Sequence, residues 1–127
     1  MVEAKLWSVG IVVAWDYRGS GQYGWRAWCH FESQNDIFHG DQRVSGRLET
    51  YCAFLTLDAA VDRIVEVAQQ MGVDFYVSKI MMRPSVFYAG DGESGDYPPP
   101  PGWRVQVNAQ AVRLGWLPLY DVEVDNV

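Results

Sequence analysis

The sequence predicts an α+β domain: an antiparallel or mixed β-sheet with two helices packed on it. The first third of the chain is rich in β-branched and aromatic residues, and a central segment has helical spacing. The last third combines a second helical pattern with extended runs, an order of elements that fits a sheet covered by helices. With 127 residues, 49% of them hydrophobic, the chain is expected to form a single domain over residues 1–127.

Three strands are predicted before the first helix. The runs "KLWSVGIVVAWD" (Lys5–Asp16) and "QYGWRAWCHFES" (Gln22–Ser33) flank the glycine-containing turn "YRGSG", which is typical of a β-hairpin. The next stretch, "QNDIFHGDQRVSG", has the composition of a loop with room for a short strand at Ile37 and Phe38. The run "RLETYCAFLT" (Arg47–Thr56) is the third strand.

The first helix is predicted over "LDAAVDRIVEVAQQM". Its apolar residues recur at spacings of three and four, at Leu57, Val61, Ile64, Val65, Ala68 and Met71. Thr56 is a suitable N-cap, Asp58 lies in the first turn, and Gly72 is the expected stop.

The remaining elements are one or two strands at "VDFYVSKIMM", a helix at "WRVQVNAQAVRLG" and a final strand at "WLPLYDVEV". The middle segment fits both strand alternation and helical spacing. We favour the helix, because the four prolines 98–101 precede it and Gly115 follows it. Pro118 suggests that the final strand lies at a sheet edge.

The charge and the hydrophobic pattern limit the possible partners. Ten basic and sixteen acidic residues give a net charge of -6, which disfavours binding to long nucleic acids but permits a small anion in a local pocket. We expect no membrane partner and a cytoplasmic location, because the sequence has no long apolar run and no signal-like N-terminus. Cys29 and Cys52 are too few for a disulfide framework and are expected to be buried and reduced.

Metal and catalytic motifs are weak. A zinc site is disfavoured for the four candidate ligands Cys29, His30, His39 and Cys52. Cys29 and His30 are adjacent and would therefore point to opposite faces of a strand. The carboxylates Asp16, Glu49 and Asp58 could meet as in metal-dependent nucleases of the ribonuclease H architecture, but their spacing is not specific. The run "DGESGD" lacks the calcium-loop pattern, and no nucleophile or phosphate-loop motif is present. We therefore expect no catalytic residues, no metal and no cofactor.

The segment "RPSVFYAGDGESGDYPPPPGW", residues 83–103, combines arginine, aromatic and acidic residues with a stiff proline run. Arginine with aromatic rings suits either a protein interface or a nucleotide site, in which the ring stacks the base and the guanidinium holds phosphate. The predicted ligand-binding residues are Arg83 for phosphate, Phe87 or Tyr88 for the base, Asp91 for ribose and Arg113 to close the site. The alternative is an ordinary strand-to-helix connection with Phe87 in the core.

The order of the helix "LxxAVDxIVEVAQQMGV", the segments "RPSVFYAGDGE" and "PPPPGW", and the helix "AQAVRLGW" resembles the phage-encoded Thoeris anti-defence proteins of the first type. The resemblance covers residues 50–120 and rests on segment order. It implies a cytosolic homo-oligomer, either a dimer or a hexamer assembled from dimers, that sequesters cyclic ADP-ribose-type nucleotide signals without cleaving them. It also implies pockets at a dimer interface and, in some members, separate sites for cyclic oligonucleotides.

Two other functions remain open. An acidic protein inhibitor, such as a toxin-immunity or other anti-defence protein, would use its negative charge and surplus aromatics to cover a basic nuclease. A nuclease or nucleotide hydrolase would instead require metal and show turnover.

Overall fold

The computed structural model of the protein describes residues 5–19, 22–33, 45–50, 53–83 and 100–121. They form a curled mixed sheet of six strands and two helices, so the predicted α+β class is confirmed. The strands are β1 (Leu6–Ser8), β2 (Ile11–Gly19), β3 (Gln22–Ser33), β4 (Ser45–Glu49), β5 (Val73–Phe75) and β6 (Ile80–Met82). The helices are α1 (Leu57–Met71) and α2 (Trp103–Arg113).

Strand β3 is the centre of the sheet. It pairs antiparallel with β1 and β2, which lie one after the other along one edge, and with β4 along the opposite edge. Trp28 shows this arrangement, because it is opposite Val12 on one side and Glu49 on the other. Strands β5 and β6 extend the sheet beyond β1 and β2 and run parallel to them. The antiparallel pairing of β2 with β3 confirms the predicted hairpin.

Gly10 interrupts the run that the sequence predicts as one first strand. Between the pairs Ser8↔Phe31 and Val12↔Trp28, the first strand advances by four residues while β3 advances by three, so one extra residue is accommodated. Gly10 has a φ of 119°, and a Cβ atom there would lie 2.5 Å from the carbonyl oxygen of Lys79. The hydroxyl of Ser8 stabilises this bend by hydrogen bonding to the backbone of Gly10.

The predicted strand "VDFYVSKIMM" is interrupted at the matching place. Its two halves, β5 and β6, pair with β1 and β2 respectively, and residues 76–79 bridge them beside Gly10. The amide of Tyr76 donates to the Ser8 carbonyl and the amide of Ile11 donates to the Lys79 carbonyl. The sequence predicts one or two strands here, and the structure has two, because the bend in the neighbouring strand requires a corresponding bend in its parallel partner.

Helix α1 has the predicted bounds. The Thr56 side chain accepts a hydrogen bond from the Ala59 amide, and Gly72 ends the helix in the left-handed conformation. The buried face consists of Leu57, Ala60, Val61, Ile64 and Ala68, whereas the predicted apolar residue Met71 is exposed. This face packs on the sheet, which places α1 over β3.

Helix α2 covers β6 and contacts α1, which completes the core on one side of the sheet. Val107 and Ala111 are its buried apolar residues. The core contributed by the sheet consists of Ile11, Val13, Trp25, Ala27, Cys29 and Ile80. Burial of this apolar surface is the main term that stabilises the domain.

The segment after α2 does not form the predicted strand within residues 116–121. Its backbone is held by a side chain instead: Asn108 Nδ2 donates to the Tyr120 carbonyl at 2.7 Å, and the Tyr120 amide donates to Asn108 Oδ1 at 3.1 Å. The Tyr120 hydroxyl accepts a hydrogen bond from the Met82 amide at 2.7 Å. The Asn108 contacts satisfy the backbone amide and carbonyl of Tyr120 without a sheet partner.

Two further predictions concern the region around β4. The third strand begins at Ser45 and ends at Glu49, so its predicted bounds of Arg47–Thr56 are wrong, although Phe54 forms an isolated bridge with Trp25. The short strand predicted at residues 37–38 lies outside the described residues. None of the described helices has the length and hydrophobicity needed to span a bilayer.

Candidate anion-binding site on the outer face of the sheet

The sheet has two chemically different faces. Along β3, Trp25, Ala27 and Cys29 point toward the helices and belong to the core. Because side chains alternate along a strand, Arg26, Trp28 and His30 point to the other side, which we call the outer face. No helix in the described part of the chain packs on this face.

An arginine–tryptophan cluster occupies the outer face. It comprises Trp28, the three arginines 26, 47 and 83, and the carboxylates of Asp16 and Glu49. Trp28 is 5% exposed although it points away from the helices. The guanidinium carbon of Arg47 lies 4.8 Å from the centroid of its ring, and that of Arg83 lies 5.8 Å away. Both distances are within the range of cation–π attraction, so the ring holds two positive groups.

Ion pairs connect most of the cluster. Arg26 uses one terminal nitrogen for Asp16, at 3.5 Å from Oδ2, and the other for Glu49, at 3.9 Å from Oε1. Glu49 also contacts Arg47, whose Nε lies 2.9 Å from Oε2. Asp16 is 4% exposed, and the nearby guanidinium compensates the cost of burying its charge.

Arg83 differs from the other arginines of the cluster. Arg83 is exposed and comes directly after the last residue of β6. Its backbone amide donates a hydrogen bond to the Val13 carbonyl at 2.8 Å, which continues the pairing of β6 with β2. Among the described residues, no carboxylate forms an ion pair with its guanidinium. Counted over the described residues of the cluster, three arginines and two carboxylates leave one excess positive charge, which suits an anionic ligand.

The predicted site residues fall in different places. Arg83 lies in the cluster, and Phe87, Tyr88 and Asp91 lie outside the described residues. Arg113 lies at the end of α2, on the helical side of the sheet. Arg83 and Arg113 thus lie on different sides of the sheet, and a second chain could supply Arg113 to a ligand at Arg83.

Arg113 takes part in a contact between the two helices. Its Nη1 lies 2.6 Å from Asp62 Oδ1 on α1, and its Nε donates to Gln110 Oε1 at 2.9 Å. Gln110 in turn donates to the carboxylate of Asp58. Arg113 is partly exposed, so a ligand phosphate could reach it by competing with Asp62 for a surface ion pair.

The groups considered for metal binding are dispersed. Cys29 is buried on the helical side while the adjacent His30 is exposed on the outer face, and His39 and Cys52 lie outside the described residues. Burial raises the pKa of the Cys29 thiol, and a weaker opposite effect comes from its hydrogen bond with Ser8. Asp16 and Glu49 meet through Arg26, whereas Asp58 lies on α1. In the described part of the chain, no three histidine, cysteine or acidic residues are grouped as metal ligands.

A cavity of about 340 Å³ lies between β4 and α1. Its apolar walls include Leu48, Phe54, Val67 and Met71, and Arg63 lies at its edge. Neither Arg83 nor Arg113 contributes to this cavity. Among the described residues, it is thus separate from the predicted ligand-binding residues Arg83 and Arg113.

Sequence reasoning missed Trp28 and Arg47 as candidate site residues. Trp28 belongs to β3 and Arg47 to β4. In the pairing of these strands, Arg47 lies opposite His30, two residues from Trp28 along β3. The available signal was the alternation in "WRAWCH": if Trp25, Ala27 and Cys29 face the core, Trp28 must face away from it. A tryptophan on that face needs partners, and arginine is a suitable one.

No protein family, characterised protein or solved structure showed significant similarity to the chain. Function is therefore inferred from the chemistry of the site.

Proposed function

We propose that this protein binds a cyclic ADP-ribose-type nucleotide and sequesters it without cleavage, as a cytoplasmic anti-defence protein that counters Thoeris signalling. The observation that supports this proposal is the position of Arg83. Its exposed guanidinium lies beside the Trp28 ring and has no ion-pair partner among the described residues. A phosphate could therefore bind there without first displacing a carboxylate from Arg83.

Sequestration requires affinity and no chemistry. Arginine can contact phosphate oxygens in a two-point geometry, and each charge-assisted hydrogen bond contributes on the order of 1.5–3 kcal/mol. Phe87, Tyr88 and Asp91, which follow Arg83 in the sequence, remain the proposed contacts for the base and ribose. A homo-oligomer would bring Arg113 of a second chain to the same ligand.

The test is calorimetry with isomers of cyclic ADP-ribose. Arg83→Ala should weaken binding roughly tenfold to a hundredfold, because a charge-assisted contact to phosphate is lost. Arg63→Ala is the matched control, since Arg63 is an exposed arginine on α1, on the helical side of the sheet, that pairs with Glu66. Thermal melting should show that both variants remain folded.

A second measurement separates sequestration from turnover. The protein is incubated with lysate containing an activated signal-producing enzyme, purified and heated, and the released small molecules are identified by mass spectrometry. Recovery of the intact cyclic nucleotide supports the proposal, and a processed product indicates an enzyme. If no isomer binds the parent protein, nucleotide sequestration is wrong.

The alternative, an acidic inhibitor of a basic nuclease, is favoured by a different surface. Val105 and Val112 on α2 are 49% and 61% exposed, and Leu117 beyond the helix is 83% exposed. Apolar side chains of this kind can anchor a protein partner, and the net charge of -6 would attract a basic one. This alternative predicts tight binding to a basic protein and no affinity for the nucleotide.

A further inference from the structure

We infer that Arg47 is a second anion-binding residue of the arginine–tryptophan cluster, and that Arg47 and Arg83 together bind a ligand with two adjacent anionic centres, namely a diphosphate. The inference rests on the proposed function and specifies which part of the nucleotide the outer face recognises. It can also be tested without a nucleotide, using inorganic phosphates.

Arg47 and Arg83 both contact the ring of Trp28. Arg47 belongs to β4, on one edge of β3, whereas Arg83 follows β6, which lies beyond the opposite edge. The two side chains therefore approach Trp28 from opposite directions across the sheet. Because the two guanidinium carbons lie 4.8 and 5.8 Å from the same ring centroid, their separation cannot exceed the sum of these distances, and a ligand with two linked phosphates could reach both.

Arg26 and Arg47 differ in the nitrogen atoms that form their ion pairs with carboxylates. Arg26 directs both terminal nitrogens at carboxylates, toward Asp16 and Glu49. Arg47 contacts Glu49 through Nε, so that ion pair leaves its terminal nitrogens available to a ligand. Glu49 thus acts as a positioning residue that orients Arg47, while the planar guanidinium can still offer a forked contact to phosphate oxygens.

The guanidinium groups of Arg47 and Arg83 are preorganised by their contacts with Trp28. Holding the two guanidinium groups against a ring that is only 5% exposed restricts their motion before a ligand arrives. Less side-chain entropy is then lost on binding than with freely moving arginines. A ligand that bridges both groups gains from this arrangement, whereas a single phosphate can use only one of them fully.

The experiment compares inorganic pyrophosphate with orthophosphate by calorimetry at constant ionic strength. The parent protein should bind pyrophosphate at least tenfold more tightly. Arg47→Ala should reduce pyrophosphate affinity to the level of orthophosphate. Arg47→Lys should do the same, because lysine keeps the charge but lacks the planar fork. Arg63→Ala should leave both affinities unchanged.

Several results would overturn the inference. One is a parent protein that binds neither phosphate, or binds both equally. Another is an Arg47→Lys variant that keeps the preference for pyrophosphate, since general charge attraction would then be sufficient. If Arg47→Ala does not fold, as judged by circular dichroism, Arg47→Lys decides the question.

The same titrations with cyclic ADP-ribose separate this inference from the proposed function. If pyrophosphate binds through Arg47 and Arg83 but the cyclic nucleotide does not bind, the diphosphate site stands and nucleotide sequestration fails. If the nucleotide binds and neither Arg47 variant weakens it, sequestration stands and the role of Arg47 is overturned.

Discussion

Gly10 shows how a single residue determines the course of the sheet. Its positive φ is unfavourable for a residue with a side chain, and the Lys79 carbonyl occupies the space that a Cβ atom would need. The extra residue at this point also reverses the side-chain alternation. Ser8 lies on the helical side in β1, and Ile11 lies on the same side in β2. A residue other than glycine here would have to displace the neighbouring strand.

The variant Gly10→Ala should lower the free energy of unfolding by at least about 2 kcal/mol, because backbone strain and the clash with the Lys79 carbonyl act together. Gly72→Ala is the matched control. Gly72 also has a positive φ, but a Cβ atom there meets nothing within 4 Å, so we expect a loss of only about 1 kcal/mol. Urea denaturation measures both. Equal losses would contradict the proposed steric role of the Lys79 carbonyl.

At the scale of elements, those held by contacts between residues close in the sequence could be predicted, whereas those held by contacts between distant residues could not. Helix α1 was predicted with its bounds because Thr56, the apolar spacing and Gly72 are local signals. The interruption at Gly10 was not predicted, and the sequence did not decide between one and two strands at residues 73–82. Both bends depend on the pairing of β1 and β2 with β5 and β6, which are far away in the sequence. Arg83 was identified as a candidate from its own chemistry, whereas Arg47 and Trp28 required knowledge of strand register.

The segment after α2 illustrates the same limit. Its alternating pattern predicted a strand, but the Asn108 side chain forms the backbone hydrogen bonds that a neighbouring strand would otherwise supply. Asn108 is buried, and such a tertiary contact leaves no local sequence signal.

The variant Asn108→Ala should destabilise the protein by about 1–3 kcal/mol, because the backbone amide and carbonyl of Tyr120 both lose their partner. Gln106→Ala, at an exposed position of the same helix, should be nearly neutral. Denaturant unfolding gives the stability, and limited proteolysis should show faster cleavage between residues 114 and 121 in Asn108→Ala alone. Unchanged cleavage would mean that other contacts, such as the ring contact between Trp103 and Tyr120, hold the segment.

At the scale of the whole molecule, the sheet separates the two described arginines that were proposed for one site. Arg83 lies on the outer face and Arg113 lies with the helices, so we propose that a shared ligand is bound between two chains. A self-complementary dimer would satisfy this geometry, because each chain could supply Arg83 to one pocket and Arg113 to the other. We therefore expect light scattering to give a mass above the 14.4 kDa of a single chain.

Mixing two defective variants tests whether the site is shared. Arg83→Ala and Arg113→Ala should each bind the nucleotide weakly. When the two chains are unfolded and refolded together, mixed dimers should contain one intact pocket, which restores roughly a quarter of the parent's sites if pairing is random. Calorimetry counts these sites. No recovery in a sample shown to contain mixed dimers would mean that the two arginines do not contact one ligand.

The parallel pairing on either side of Gly10 also constrains the order in which the chain can fold. Leu6 pairs with Val73, and Val13 pairs with Met82, so one edge of the strand formed by β1 and β2 lacks these partners until much of the later chain is in place. The hairpin of β2 and β3 joins neighbouring residues and can form early, whereas the parallel pairs must wait for the longer chain closure across α1. During synthesis, the N-terminal strands therefore leave the ribosome with an incomplete sheet, and the edge that β5 and β6 later occupy stays open to non-native pairing until residues 73–82 emerge.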